Sequence, residues 1–273
     1  MTGSLPKLAT VLAALETIAP LSFAESWDNV GLLIPPQSEK TCVERVFFTI
    51  DLTERVLEEA LAAGADLVIA YHPVIFEGKK RFLREQPNDR VVLAAIRSGL
   101  PVFCPHTSLD VAPNGMADWL VAGIGPGAVR AIDPRPAVRS EDEGKPLGLG
   151  RLVELPEPRD LDSIVDALKT HLGVASLRVA QSFSGGVVRT AAACAGAGGA
   201  VVDRAGPVDL IVTGEMRHHD ILTRVMSGTH VVLTEHTNSE RGFLSVYAQR
   251  LEALLPEIRT ILSRRDCDPL RMV

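Results

Sequence analysis

Three segments of the sequence place metal-ligand side chains directly after an apolar run typical of a β-strand. His72 follows the first run, and the remaining candidates are the pairs His106/Asp110 and His236/Glu240. Imidazole nitrogen and carboxylate oxygen are ligands that Zn, Mn, Fe, Co and Ni accept. A shared carboxylate can also bridge two such ions. These five residues are therefore candidate ligands for one or two divalent metal ions.

Each candidate also has a purely structural interpretation. A single histidine at the end of a strand, such as His72, is more often hydrogen bonded within the fold than bound to a metal. The pairs His106/Asp110 and His236/Glu240 are also common on ordinary surfaces. Their shared placement favours the metal, because the three segments are expected at the same carboxyl edge of one sheet, where ligands of open α/β sheets usually bind.

A fourth segment could add acid–base groups to the same cleft. Glu215 and His218 follow an apolar run and open a predicted helix. With the phenol of Tyr71 they are the candidate catalytic residues. The structural alternative is equally strong here, because acidic residues suit the first turn of a helix. The glycine-rich turn at residues 196–199 lacks a P-loop lysine and a full dinucleotide fingerprint, so tight packing is favoured over phosphate binding.

Regular elements must position these side chains, and hydrophobic periodicity predicts where they lie. Strands are predicted at residues 32–34, 43–51, 66–71, 100–104, 150–155, 176–181, 187–194, 209–213 and 230–236. Helices are predicted at residues 5–19, 54–63, 88–98, 160–172, 218–226 and 240–255. Their alternation predicts an α/β fold with mainly parallel sheets flanked by helices.

A stretch rich in glycine, proline and charge interrupts this periodicity and divides the chain. We predict an N-terminal α/β domain over residues 1–125, carrying His72, His106 and Asp110, and a linker over residues 126–149. A second α/β domain follows over residues 150–273, and its last part, from about residue 230, returns to complete the metal site.

Composition and charge exclude several classes of protein. The formal net charge is -6, and the basic runs are short, which argues against direct binding of nucleic acid. The four cysteines form no C-x-x-C pair, so a reducing compartment fits best. The first residues lack the apolar region of a signal peptide, and no run approaches the roughly 18 apolar residues of a membrane span. The cytoplasm is therefore the expected location, with an organelle left open.

Five motifs together resemble those of the Nif-three-like family, whose bacterial members are known as GTP cyclohydrolase I type 2 homologues. The motifs are WDNVGL (27–32), YHPVIF (71–76), PHTSLD (105–110), GEMRHHD (214–220) and EHTNSERGF (235–243). Their order and spacing cover almost the whole chain, and the last motif is the most specific. Many bacterial members carry two adjacent histidines before the proline, whereas here the first is Tyr71, as in the eukaryotic-type members. The large central insertion of some bacterial members is also missing, so the chain resembles the compact form.

The resemblance implies two interlinked α/β domains with a dinuclear metal centre in the cleft between them, and a toroidal homohexamer. Carried over to this sequence, the ligands are His72, His106, Asp110, His236 and Glu240, with Asp110 or Glu240 as the bridge. A phenol is a poor ligand unless a metal lowers its pKa. One of the two metal sites is therefore expected to be weaker than in the two-histidine members.

Two classes of function follow from these observations. The first is a metal-dependent hydrolase acting on a phosphate-containing or nucleotide-like substrate, since two divalent ions with two carboxylates leave a positive site for an anion. The second is a non-enzymatic, ring-forming adaptor or metal carrier that binds protein partners, including transcription-related ones. Open coordination positions favour the hydrolase, and a fully protein-ligated site favours the adaptor.

Overall fold

The computed structural model describes residues 4–38 and 42–270 of the 273-residue chain. Within these residues the helices are α1 (Leu8–Ile18), α2 (Glu54–Ala62), α3 (Pro87–Ser98), α4 (Thr107–Val111), α5 (Met116–Ala122), α6 (Leu161–Leu172), α7 (Gly199–Val202), α8 (His218–Met226) and α9 (Phe243–Leu254). The strands are β1 (Gly31–Ile34), β2 (Arg45–Thr49), β3 (Leu67–Ala70), β4 (Val102–Cys104), β5 (Ala128–Pro134), β6 (Gly148–Arg159), β7 (Arg178–Ala180), β8 (Val188–Cys194), β9 (Leu210–Thr213), β10 (His230–Leu233) and β11 (Arg259–Leu262). None of these helices has the length and apolar character needed to cross a membrane.

The chain divides into two compact units. The first comprises Met1–Leu109 and Leu244–Cys267, and the second comprises Asp110–Phe243 and Asp268–Val273. Each unit contains one β-sheet with helices packed against it. The predicted α/β class, with two helix-flanked sheets, is therefore confirmed.

The first unit is built on a five-stranded sheet with the order β1-β4-β3-β2-β11. Strands β4, β3, β2 and β11 are parallel, and β1 joins one edge antiparallel. Because carboxyl ends of neighbouring parallel strands meet at one sheet edge, the residues that follow β2, β3 and β4 are neighbours. Two positions beyond these strands lie Asp51, His72 and His106.

Helix α2 shows why the local sequence folds in this way. The Thr53 side chain accepts a hydrogen bond from the Val56 amide and caps the first turn, which satisfies one of the helix's unpaired N–H groups. Gly64, at φ +65°, ends the helix in a left-handed conformation that glycine adopts without strain. Val56 and Leu57 then face the core shared with α3.

The second unit has a six-stranded mixed sheet with the order β5-β6-β8-β9-β10-β7. The central strands β8, β9 and β10 are parallel, and the outer strands pair antiparallel. Neighbouring residues of β9 and β10 point to opposite faces, as the two-residue period of a strand requires. Leu210 and Val232 belong to the core on one face, and Ile211 and Val231 belong to the core on the other.

The expectation that all ligand-bearing segments follow strands of one sheet is wrong. His72 and His106 follow β3 and β4 in the sheet of the first unit, whereas His236 follows β10 in the sheet of the second unit. Alternating apolar runs predict strands but do not say which strands pair. Pairing is decided by contacts between residues far apart in sequence.

The segment predicted as a linker, residues 126–149, contains strand β5, which pairs antiparallel with β6. Its glycines permit close approach: a Cβ atom on Gly148 would lie 2.1 Å from the carbonyl oxygen of Asp133. The sequence patterns also did not predict strand β11 or the short helices α4, α5 and α7. The domain boundaries at residues 125 and 149 stay a prediction.

Candidate functional site

His72 is held at the end of β3 by backbone and side chain together. Its amide donates a hydrogen bond to the Ile50 carbonyl oxygen at 3.1 Å. Its Nδ1 atom lies 2.9 Å from Oδ1 of Asp51, the residue that follows β2. A carboxylate bonded to Nδ1 fixes the ring orientation and makes Nε2 the nitrogen that would ligate a metal.

His106 has the same kind of partner. Its Nδ1 atom lies 2.8 Å from Oδ1 of Asp28, and the other oxygen of Asp28 accepts hydrogen bonds from the amide and hydroxyl of Thr107. Burial raises the pKa of the Asp28 carboxyl, but the hydrogen bonds from His106 and Thr107 outweigh it, so the pKa lies below its usual value. Asp28 is therefore a charged carboxylate that orients the imidazole.

The backbone of His106 is itself strained, with φ at +32°. Positive φ is unfavourable for a residue with a β-carbon, and such strain persists where the surroundings fix the conformation, often at functional sites. The rings of His72 and His106 lie edge to face with centroids 5.5 Å apart. Behind them packs Tyr71, only 1% exposed, with its ring 5.6 Å from that of His106.

In the second unit His236 also has a carboxylate partner on its Nδ1 atom. Its Nδ1 atom is hydrogen bonded to Oε1 of Glu215, which stands two residues after β9. Its Nε2 atom lies 3.6 Å from Oε1 of Glu240. Glu240 is only 3% exposed, and a buried carboxylate this close to an imidazole nitrogen suits a shared cation.

Glycines make room for these two side chains. A Cβ atom on Gly196, at φ +61°, would lie 2.9 Å from both Glu240 Oε1 and His236 Nε2. A Cβ atom on Gly214 would lie 2.9 Å from the His236 Cα atom. The glycine-rich turn after β8 thus permits the close approach of candidate ligand atoms.

Asp110 lies in α4, and its negative charge affects the pKa of Cys194 in the second unit. Burial, then the negative charges of Asp110 and Glu240, raise the pKa of the Cys194 thiol to about 12. Without a bound cation, Cys194 is therefore a neutral thiol. The same observation indicates that Asp110 and Glu240 both contribute negative potential at this place, which a bound cation would offset.

The candidate acid–base residues have different surroundings. Glu215 is bonded to His236, as described above. His218 is the first residue of α8 and is exposed, with its ring 5.3 Å from that of His219. Tyr71 is buried behind the two histidines of the first unit.

Sequence reasoning missed Asp28 and Asp51 as partners of the histidines. Asp51 carried a usable signal, because it is the last residue of the predicted strand 43–51 and so belongs to the same kind of strand end as His72 and His106. Asp28 lies in a loop far from His106 in sequence, so only the folded chain reveals the pairing.

The side chains that could hold a metal ion include His72 in the first unit and His236 and Glu240 in the second.

Comparison with known proteins gives a consistent result across sequence and structure. The profile of the Duf34/NIF3 (NGG1p interacting factor 3) family matches residues 6–269. NIF3-like protein 1 of Drosophila melanogaster is 36% identical to this chain, and the alignment covers 97% of the chain and 88% of that protein. NGG1-interacting factor 3 of Saccharomyces cerevisiae is 33% identical, with 97% and 96% covered.

A solved structure shares the fold. The crystal structure of a Bacillus cereus protein related to NIF3 superposes with a TM-score of 0.87, covering 99% of this chain and 100% of that one. Sequence identity is 20%, so this likeness establishes the fold alone.

Proposed function

Since the chain belongs to the Duf34/NIF3 (NGG1p interacting factor 3) family, as its motifs indicated, we propose that it binds one or two divalent metal ions. The proposed ligands are His72, His106, Asp110, His236 and Glu240. We further propose that the bound metal supports hydrolysis of a phosphate-containing or nucleotide-like substrate.

One observation carries the metal proposal: each of the three candidate histidines has a carboxylate on Nδ1. The pairs are His72 with Asp51, His106 with Asp28, and His236 with Glu215. Metal-ligating histidines almost always have such a partner, which fixes the tautomer and raises the basicity of the ligating nitrogen. Three independent repeats are not expected of histidines that serve packing alone.

The donor set also fits the chemistry of a divalent ion. Three imidazoles with two carboxylates suit Zn, Mn, Fe, Co or Ni. Such an ion would supply Lewis acidity and lower the pKa of a water molecule, which is the chemistry that hydrolysis requires. Two bound ions would bring a charge of +4 against -2 from the two ligand carboxylates, which would favour an anionic substrate, whereas a single ion would leave this ligand set neutral.

The remaining polar residues have roles that the chain itself supports. Glu215 orients His236 through its hydrogen bond. His218, exposed at the start of α8, is the proposed proton donor or acceptor for the substrate. Tyr71 is proposed as a second proton-carrying group, and its ring packs against His72 and His106.

The decisive experiment measures metal content and turnover together. Protein purified without added metal is analysed by inductively coupled plasma mass spectrometry, then screened against phosphoesters and nucleotides at defined metal concentration. We expect about one or two ions per chain and metal-dependent hydrolysis that a chelator abolishes. Metal-replete protein that hydrolyses none of these compounds would contradict the hydrolase proposal and leave the metal proposal standing.

A second candidate function is a ring-forming adaptor or metal carrier. Its support is the name of the yeast relative, NGG1-interacting factor 3, which describes that protein as an interaction factor. We propose that the chain forms a homohexamer, which sedimentation velocity would test. A loaded hexamer without turnover in the screen above would favour the adaptor.

Replacing the orienting carboxylates tests whether the carboxylate partners on Nδ1 strengthen metal binding. We expect Asp28→Asn, Asp51→Asn and Glu215→Gln each to lower metal affinity by about 10- to 100-fold, because the histidine loses its charged partner but keeps its ring. Competition with a chelator of known affinity measures the change. Asp166→Asn, at an exposed carboxylate of α6, is the control and should bind metal like the wild type. Unchanged affinity in all three variants would contradict the proposed pairing role.

Charge predicts a negative result with nucleic acid. Because the net charge is -6 and the basic runs are too short to neutralise several phosphates, we expect no submicromolar binding of duplex DNA near physiological salt. Fluorescence anisotropy with a labelled duplex, repeated at several salt concentrations, measures this. A tight complex with a steep salt dependence would show that the chain itself binds DNA.

A further inference from the structure

Two exposed aromatic side chains flank the candidate ligand His106 in the first unit. Trp27 is 59% exposed and Phe76 is 49% exposed. Their ring centroids lie 6.0 Å apart, and each ring lies edge to face with the His106 ring, at 6.1 Å and 6.4 Å. The three rings thus form one cluster at the candidate site.

The loops that carry these two aromatic residues are tightly anchored. The carboxylate of Asp28 is hydrogen bonded to His106 and Thr107. The Asn29 side chain donates a 2.6 Å hydrogen bond to the Ile75 carbonyl oxygen, which joins the loop of Trp27 to that of Phe76. Trp27 directly precedes Asp28 in the sequence, and Phe76 directly follows Ile75. Both aromatic residues are therefore next to anchored residues, yet their own rings are exposed.

Exposed rings of this kind need an explanation beyond folding. A tryptophan contributes to stability mainly by burying its large apolar surface, and an indole that is more than half exposed forgoes much of that gain. Exposed aromatics that cluster beside polar groups mark binding sites. Trp27 and Phe76 lie at 64° to each other, so they form a corner in which neither ring stacks on the other.

We infer that Trp27 and Phe76 bind a planar heteroaromatic ring, such as a nucleobase, and so select the substrate of the proposed metal site. The inference rests on the proposed function, because it places the ring beside a proposed ligand. Any base offers a π-face to an aromatic side chain, and base–aromatic stacking strengthens binding by about 5- to 150-fold per base. The reacting phosphate or ring atom would then lie on the His106 side of the corner.

The test compares a ligand with and without the ring. Isothermal titration calorimetry of Zn²⁺-loaded protein is performed with AMP and with ribose 5-phosphate. We expect AMP to bind at least about fivefold tighter, and expect Trp27→Leu and Phe76→Ala to remove this margin while metal content stays at the wild-type value. Trp27→Phe keeps an aromatic ring and should retain part of the margin. Phe183→Ala removes a 74% exposed aromatic of the second unit and should retain all of it.

Two outcomes would overturn the inference. The first is equal binding of AMP and ribose 5-phosphate by the wild-type protein. The second is a margin that Trp27→Leu leaves intact. If Trp27→Leu then also forms a smaller oligomer in sedimentation velocity, the corner is an interface between copies of this chain. If the wild type instead binds no metal but prefers AMP in a Trp27-dependent way, the proposed metal function fails and the ring site stands.

Discussion

Glu240→Ala is expected to lower the affinity for metal by at least about tenfold, and with it the metal content after purification, whereas Tyr71→Phe should change the metal content little. Glu240 is 3% exposed, and its carboxylate oxygen lies 3.6 Å from the His236 Nε2 atom. If Glu240 bridged two ions, its loss would remove a ligand from both of them, while a phenol oxygen would serve one at most. Metal content per chain is measured by mass spectrometry after purification at one pH.

The control for this comparison is Glu157→Ala, which removes an exposed carboxylate in β6. It should match the wild type, since an exposed carboxylate alone holds metal weakly. Equal metal content in Glu240→Ala and Tyr71→Phe would refute a bridging role for Glu240. Loss of metal in Tyr71→Phe alone would make the phenol a ligand and Glu240 dispensable.

The largest effect on stability is expected at Arg151, whose guanidinium is fully buried in the second unit. Two of its N–H groups bond the Asp118 carboxylate at 2.6 and 2.9 Å. Others bond the carbonyl oxygens of Gly148, Gly150 and Ala112. Arg151→Met would leave these acceptors and the Asp118 charge without the cation, so we expect the free energy of unfolding to fall by about 3–5 kcal/mol. Urea denaturation measures the change, and hydrogen exchange of β6 locates it.

Arg204→Met is the matched control, because Arg204 pairs with Asp133 in the same unit but is 55% exposed. A solvent-exposed pair is screened, and its loss should cost no more than about 1 kcal/mol. If the two variants lose stability equally, burial does not govern the strength of these ion pairs. Adding Asp118→Leu to Arg151→Met should recover part of the loss, since it removes the charge left behind.

The sequence by itself determined most of the regular structure and the candidate ligand residues. Strong periodicity and clear stop signals placed helices such as α8, which begins and ends at the predicted residues His218 and Met226. Fully apolar runs marked β3 and β9 as buried strands. The chemistry of histidine and carboxylate after strand ends marked His72 and His236 as candidate ligands, and both belong to the side chains that could hold a metal ion in the structure.

Only the tertiary structure decided which strands pair and which carboxylate orients which histidine. One sheet was expected to carry all the candidate segments, and two sheets carry them, since strand order follows from long-range contacts that periodicity does not encode. Asp28 reaches His106 across 78 residues of chain, and Glu215, interpreted from sequence as an acid–base group, is bonded to His236. The sequence also did not reveal that Trp27 and Phe76 are exposed, because the burial of an aromatic residue in a loop depends on which distant residues pack against it.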